Sequence, residues 1–292
     1  MTKKNAKFVK KIVLGTAQFG MKYGIANNTG KPTKRKVFEI LEFAWEKGIK
    51  IFDTAPDYGS EAILGEFIEA NGIGHQIRLI TKISPVKESK SYKDSIRNGI
   101  ELSLKNLCAP IEVLFFHRSE NALLLRSDQN FFRMLKSNNP ISSYGVSIYD
   151  TEDIKVHSNY DFKMSLQFPY NILDQRFSKL ELPNVKKYAR SIFLQGILAS
   201  KGKLSSTAPK ELLRLHKEYH NILSNNNIDP VSFATQFAIK NDEIDFFLFG
   251  VETKAQLERL FYIDSNNEFP EKIVDPILKK INTNLIDPRR WS

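Results

Sequence analysis

The sequence predicts an α/β protein, a (β/α)8 barrel of the TIM-barrel class, with extra helices before the last strand and at the C-terminus. Three observations lead there. Short apolar, β-branched runs recur eight times, a longer stretch with helical spacing follows each, and no composition break, low-complexity stretch or repeated motif divides the 292 residues. Apolar strands separated by helices argue for parallel pairing with both sheet faces covered. Eight such units favour a closed barrel over an open sheet, and residues 1–292 are read as a single domain.

In chain order the candidate strands are residues 11–14, 49–52, 78–81, 112–116, 143–147, 163–166, 191–194 and 245–249. The helical stretches are 33–47, 60–70, 92–107, 128–137, 151–158, 183–190, 209–221 and 254–262. In the first of these, Val37, Ile40, Leu41, Phe43 and Ala44 fall on one face, and Gly48 stops the helix. Residues 230–241 and 271–282 are the two extra helices, and Asn225–Asn227 reads as a loop.

Composition removes several classes. At 41% hydrophobic and 26% charged the chain is globular and long enough to bury a large core. The single cysteine, Cys108, rules out an intrachain disulfide and a cysteine-based zinc site, which suits a reducing, cytoplasmic compartment. Lys3, Lys4, Lys7, Lys10 and Lys11 resemble a signal peptide's charged start, but no apolar segment follows; 113–116 and 246–251 are too short to span a bilayer. A net charge of +10 raises nucleic-acid binding, yet lysines are scattered among acids and no binding motif appears. The positive potential suits anionic small molecules instead. His216 and His220 have the spacing of a zinc pair, but Lys217 stands where a zincin needs glutamate, so a surface helix is expected and no metal.

In such barrels the polar residues at the C-terminal ends of strands face the active site. Those ends supply Asp53 with Tyr58 five residues on, then Lys82, His117 and Gln167. A phenol with an ordinary pKa of about 10 is a poor acid near neutrality. A lysine ammonium stabilises the phenolate, an aspartate keeps the ammonium charged, and an imidazole can hydrogen-bond a carbonyl oxygen as negative charge grows. No side chain donates hydride, so a nicotinamide cofactor is the economical source. Taken singly, each residue has a plainer role as a helix cap, a loop aromatic, a solvated lysine or a core histidine. Their placement on successive strand ends gives the set its weight.

Asp53-Thr54-Ala55-Pro56-Asp57-Tyr58-Gly59-Ser60-Glu61 followed by Leu64-Gly65 resembles the aldo/keto reductase signature D-T-A-x-x-Y-G-x-S-E-x-x-L-G. Thr81-Lys82, Leu114-Phe115-Phe116-His117, Gly145-Val146-Ser147, Gln167-Phe168-Pro169-Tyr170-Asn171 and Phe249-Gly250 resemble later landmarks of that family in the same order. The resemblance implies a catalytic tetrad of Asp53, Tyr58, Lys82 and His117, and a small-molecule aldehyde or ketone reduced with NADPH, or with NADH. It further implies cofactor contacts from Gly15 and Thr16, carboxamide contacts from Ser147 and Gln167, and stacking by Phe193. Leu194, Gln195 and Gly196 would line the pyrophosphate, and Gly250, Val251, Thr253, Lys254 and Leu257 the adenosine phosphate. The sequence departs from the family pattern in three places. One residue is missing between Gly59 and Ser60, Ile148 stands where an asparagine is usual, and the stretch after Gln256 lacks the usual terminal asparagine.

Leu14-Gly15-Thr16-Ala17-Gln18-Phe19-Gly20, Tyr23-Gly24-Ile25-Ala26-Asn27, the 170–176 stretch and Phe193-Leu194-Gln195-Gly196 resemble a bacterial subset found among surface-polysaccharide and sugar-nucleotide genes. That narrower resemblance implies a keto-sugar. Two other functions stay open: an NADPH-binding regulatory or scaffold subunit, and a sugar-modifying enzyme that uses bound nicotinamide for internal redox. The role of the Asp287-Pro288-Arg289-Arg290-Trp291 tail and the oligomeric state are not set by the sequence.

Overall fold

The structure, a computed structural model, describes residues 7–87, 91–157, 164–262 and 270–291. Eight strands run in parallel and close into a barrel in sequence order: β1 Ile12–Gly15, β2 Ile51–Asp53, β3 Arg78–Ile83, β4 Ile111–Phe116, β5 Ile141–Ser147, β6 Met164–Pro169, β7 Lys186–Arg190 and β8 Phe246–Gly250. β1 closes the circle against β8, with Val13 opposite Leu248 and Gly15 opposite Gly250. The outer ring holds α1 Lys34–Glu46, α2 Glu61–Asn71, α3 Tyr92–Leu107, α4 Ser119–Ser127, α5 Gln129–Asn138, α6 Glu152–His157, α7 Lys210–Asn225, α8 Pro230–Ile239 and α9 Lys254–Arg259.

The core has two compartments. Val13, Ile51, Ile80, Val113, Phe115 and Tyr188 fill the barrel interior, while the larger cluster lies between strands and helices. Strand side chains alternate between the two. Phe115 meets Tyr188 edge to face at 5.6 Å, and Gly145 leaves the room this needs, since a Cβ there would stand 2.5 Å from the Phe115 ring. The same alternation carries interior parity upward from Ile51 to Asp53, from Ile80 to Lys82, from Phe115 to His117 and from Tyr188 to Arg190. The pleat therefore aims these polar groups at one rim.

Six of the eight predicted strands match within two residues, and the sixth, expected from residue 163, begins outside the described residues and is seen from Met164. The seventh is a correction. Residues 183–190, read as a helix, contain β7, and 191–194, read as the strand, form a turn. Lys187 and Tyr188 are buried despite their polarity, because Lys187 pairs with Glu243 and Tyr188 fills the barrel. The apolar Ile192-Phe193-Leu194 run cannot be extended, since Ser191, Leu194 and Gln195 have φ of 59°, 44° and 52°. The predicted 151–158 helix ends at residue 157, with residue 158 outside the described residues. α4 had no counterpart in the sequence reading, and β6 and β7 are joined without a helix. The expected trailing helix at 271–282 is instead a 3-10 turn at Glu271–Val274 and single helical turns at Asp275–Leu278 and Thr283–Ile286. No helix among the described residues is long and apolar enough to cross a membrane.

Candidate active site

The open rim of β2, β3 and β4 is built around one buried ion pair. Lys82 Nζ donates to Asp53 Oδ1 at 2.7 Å and to the Thr54 carbonyl at 2.8 Å, with both charged side chains almost fully buried. Gln167 Nε2 donates to Asp53 Oδ2 at 2.9 Å, so both carboxylate oxygens are engaged. The Lys82 ammonium lies 4.9 Å from the centre of the Tyr58 ring, and His117 stands edge-on to that ring at 6.0 Å. His117 Nδ1 is 3.3 Å from Asp57 Oδ2 but is not aligned for a hydrogen bond; Asp57 Oδ1 accepts from Ser84 instead.

Tyr58 sits on a single 3-10 turn, Pro56–Tyr58, ended by Gly59 at φ 69°. The backbone of Gly20 presses on this turn so closely that a Cβ would lie 1.8 Å from the Tyr58 carbonyl oxygen. The missing residue after Gly59 leaves a compact corner. Ser60 Oγ lies 2.9 Å from both Thr16 Oγ1 and Thr54 Oγ1, and Glu61, also buried, accepts from Thr81 at 2.7 Å. The shortened motif is thus fixed by four hydroxyl groups and a carboxylate.

Burial first, then the Asp53 charge, pushes the Tyr58 phenol above its ordinary value. The leading downward pull comes from the Arg190 guanidinium, where the sequence reading gave that task to Lys82. His117 is pushed below its ordinary value by burial and then by the Lys82 charge, which favours its neutral form. A neutral imidazole can both donate and accept, which suits orienting a carbonyl.

A cavity of about 750 Å³ opens at this rim and runs over the ends of β7 and β8 to the α7–α8 junction. Asp53, Tyr58 and Gln167 wall one end; Asn227, Asp229, Gln256 and Arg259 wall the other. Its floor is the turn after β7, where Leu194, Gln195 and Gly196 take left-handed conformations in succession. The 23–30 loop packs on this turn. Ala26 N donates to the Gln195 carbonyl, a Cβ on Gly196 would stand 2.7 Å from that of Ala26, and Asn27 holds the loop through bonds to Tyr23, Thr29 and Gly30.

The chain matches the model of the aldo/keto reductase family over residues 11–282. The chain belongs to the aldo/keto reductase family. The aldo-keto reductase YhdN of Bacillus subtilis is 24% identical, covering 89% of this chain and 88% of its own. A putative voltage-gated potassium channel subunit beta of Schizosaccharomyces pombe is 25% identical over 83% of this chain and 82% of its own. The solved holo form of an aldo-keto reductase from Bacillus halodurans superimposes with a TM-score of 0.72 at 19% identity, covering 96% of this chain and 95% of that one. The family is one of oxidoreductases that act on small-molecule carbonyl compounds with nicotinamide cofactors.

The cavity of this aldo/keto reductase brings together Asp53, Tyr58 and Gln167 with Gly15, Thr16, Phe193, Gln195, Gly196, Gly250 and Val251 of the residues singled out in the sequence. The others, Lys82 and His117 among them, lie off its wall. Ser147 and Leu194 are buried, Thr253 caps α9 by accepting from Gln256 N, and Leu257 is wholly in the core. Lys254 turns its ammonium over the Phe43 ring at 5.1 Å. The sequence reading missed Lys201, Gln256, Arg259 and above all Arg190, which walls the cavity beside Tyr58. Interior parity with Tyr188 would have found Arg190 once β7 was correctly placed.

His216 and His220 were also misread. They are buried rather than on a surface face, and their Nε2 atoms bond the carbonyls of Ser200 and Ile197 at 2.8 and 2.9 Å. They brace the turn that floors the cavity.

Proposed function

We propose that this aldo/keto reductase reduces an aldehyde or ketone to an alcohol, with Tyr58 as the proton donor. The Lys82–Asp53 ion pair, buried under the Tyr58 ring at one end of the cavity, carries the reading. Among buried charges, such a pair persists where geometry and hydrogen bonds satisfy both partners. Here Thr54 and Gln167 do so.

The cavity residues fit a nicotinamide dinucleotide. Left-handed backbone forms its floor, Gly15, Gly196 and Gly250 line it, and amides line the wall at Gln18, Gln167, Gln195 and Gln256. The bound cofactor would supply the hydride. Gln167, with Ser147 behind it, would hold the carboxamide and Phe193 would flank the ring. Tyr58 Oη gives its proton to the carbonyl oxygen as the carbonyl carbon accepts hydride. Lys82, held charged by Asp53, supports the phenolate left behind, and neutral His117 orients the carbonyl. A keto-sugar is the substrate that the narrower resemblance suggests.

NADPH preference would need a cation at the adenosine phosphate, and Lys254, which the resemblance places there, has its ammonium over the Phe43 ring. Lys201 is the cavity cation to replace it, since Arg259 is paired with Asp229 and Glu252 opposes a phosphate. Lys201→Ala should then lower the NADPH-to-NADH affinity ratio, and a ratio near one in the unmodified protein removes the preference altogether.

Tyr58→Phe should leave cofactor binding, read by fluorescence titration, nearly intact while carbonyl reduction falls by about a hundredfold or more. A variant that keeps its turnover ends the assignment. The S. pombe channel subunit keeps a regulatory reading in view. Tight cofactor binding with no turnover on an aldehyde and ketone panel would select it, and co-purifying cofactor without net oxidation would select internal redox.

A further inference from the structure

Arg190 ends β7 with its side chain on the cavity wall beside Tyr58 and Gln167. Its guanidinium is held on one edge. Nη2 donates to the Ile148 carbonyl at 3.0 Å and Nη1 lies 3.3 Å from Ser191 Oγ, which engages two of the five N–H groups such a side chain carries. Its plane is set by Tyr149, whose ring centre lies 3.9 Å from Arg190 Cζ. Arg289 Cζ lies 3.8 Å from the same centre, and two guanidiniums that close must take opposite faces of one ring.

The acids nearby are committed elsewhere. Asp150 serves Arg176 and Arg289, Asp174 serves Arg176, and Asp287 serves Arg289 and Arg290. Among the described residues no carboxylate pairs with Arg190. Asp53, in the same cavity, is taken by Lys82 and Gln167. A half-buried, pre-oriented guanidinium without a counter-ion, at the edge of a reaction site, has the form of an anion receptor. Its charge also draws the Tyr58 phenol downward, so an anion seated on Arg190 would be sensed at the proton donor.

We propose that Arg190 binds an anionic group, a carboxylate or a phosphate, on the carbonyl substrate itself, so that the substrates are oxo acids or phosphorylated oxo compounds rather than neutral carbonyls. This rests on the reductase reading of the site. Tyr149 and Arg289 are positioning residues, since they touch the guanidinium and the ring that orients it.

Matched pairs of aldehydes test the claim: succinic semialdehyde against butanal for a carboxylate, and glyceraldehyde 3-phosphate against glyceraldehyde for a phosphate. One anionic member should exceed its neutral partner in kcat/KM by about tenfold to a hundredfold, the weight of a charge-assisted hydrogen bond. The pair that shows it names the anion. Arg190→Gln should bring that ratio close to one. Arg190→Lys, which keeps the charge but not the fork, should give an intermediate ratio and guards against misfolding of the first variant. Equal rates within both pairs for the unmodified enzyme overturn the proposal while leaving carbonyl reduction intact.

Binding is read separately from turnover. Malonate or inorganic phosphate should raise the melting temperature of the NADPH-loaded protein and should fail to do so in Arg190→Gln. A shift that survives the substitution overturns the proposal. So does a loss of NADPH affinity in the variant as large as its loss of anion preference, because Arg190 would then serve the cofactor. If no carbonyl is reduced at all, the reductase reading falls, and the malonate and phosphate shifts still decide whether Arg190 receives an anion.

Discussion

The two sides of the cavity are built by opposite means. On the β2–β4 side, the reactive groups stand on strand ends or one short turn, at fixed parity, tied by buried bonds from Lys82, Thr54, Gln167 and Ser60. On the β7–β8 side, the wall is a left-handed turn whose carbonyls are held by Ala26, His216 and His220 from separate elements. The contrast teaches a division of labour. On the proposed reading, chemistry is placed on the rigid lattice of the barrel, where small errors in distance are costly, and ligand shape is entrusted to irregular backbone that can vary.

The sharpest way to break this contrast is Lys82→Met. It would strand the buried Asp53 carboxylate without its cation, and unfolding free energy should drop by about 3–5 kcal/mol in urea titrations. A drop under about 1 kcal/mol would mean that strand-end order does not depend on the pair. Next comes Gly20→Ala, where the new Cβ meets the Tyr58 backbone and should cost about 1–3 kcal/mol by overpacking. Turnover should fall more than cofactor affinity, because the displaced part is the proposed proton donor. If affinity falls further than turnover, the two sides are not separable.

On the other side, His220→Phe removes the bond to the Ile197 carbonyl and should cost about 1–2 kcal/mol, with cofactor affinity falling more than the rate of the loaded enzyme. Acid should act in the same direction. Burial holds His117 and His220 below their ordinary values, so the unfolded chain takes up more protons than the folded one as pH falls below about 6.5. Stability should fall there by up to about 1.4 kcal/mol per pH unit for each histidine. Urea midpoints at pH 7.5 and 5.5 measure it, and the slope should flatten in His220→Phe. The smallest effect belongs to Lys254→Ala, within about 0.5 kcal/mol of stability. A large change in NADPH affinity there would return the phosphate site to Lys254.

The same division governs what the sequence discloses. The first half is legible because strand apolarity and chemistry coincide: Ile51-Phe52-Asp53 and Phe115-Phe116-His117 are apolar runs that end on the functional residue. β7 reverses this relation. Its strand is Lys-Lys-Tyr-Ala-Arg, polar by composition, and the apolar Ile-Phe-Leu that follows is a turn. Burial of Lys187 depends on Glu243, distant in sequence, and no local pattern records it. The four-residue misplacement moved Arg190 off the strand end and hid it. The His216/His220 pair was opaque for a related reason, since its partners are backbone carbonyls, which carry no sequence signature.

Arg289 lies well beyond β8 in the sequence, yet its guanidinium covers one face of the tyrosine whose other face carries Arg190. During synthesis on the ribosome, all eight strands leave the exit tunnel before this arginine does. The protein therefore passes through a stage with all eight strands made and the Tyr149 ring still lacking Arg289.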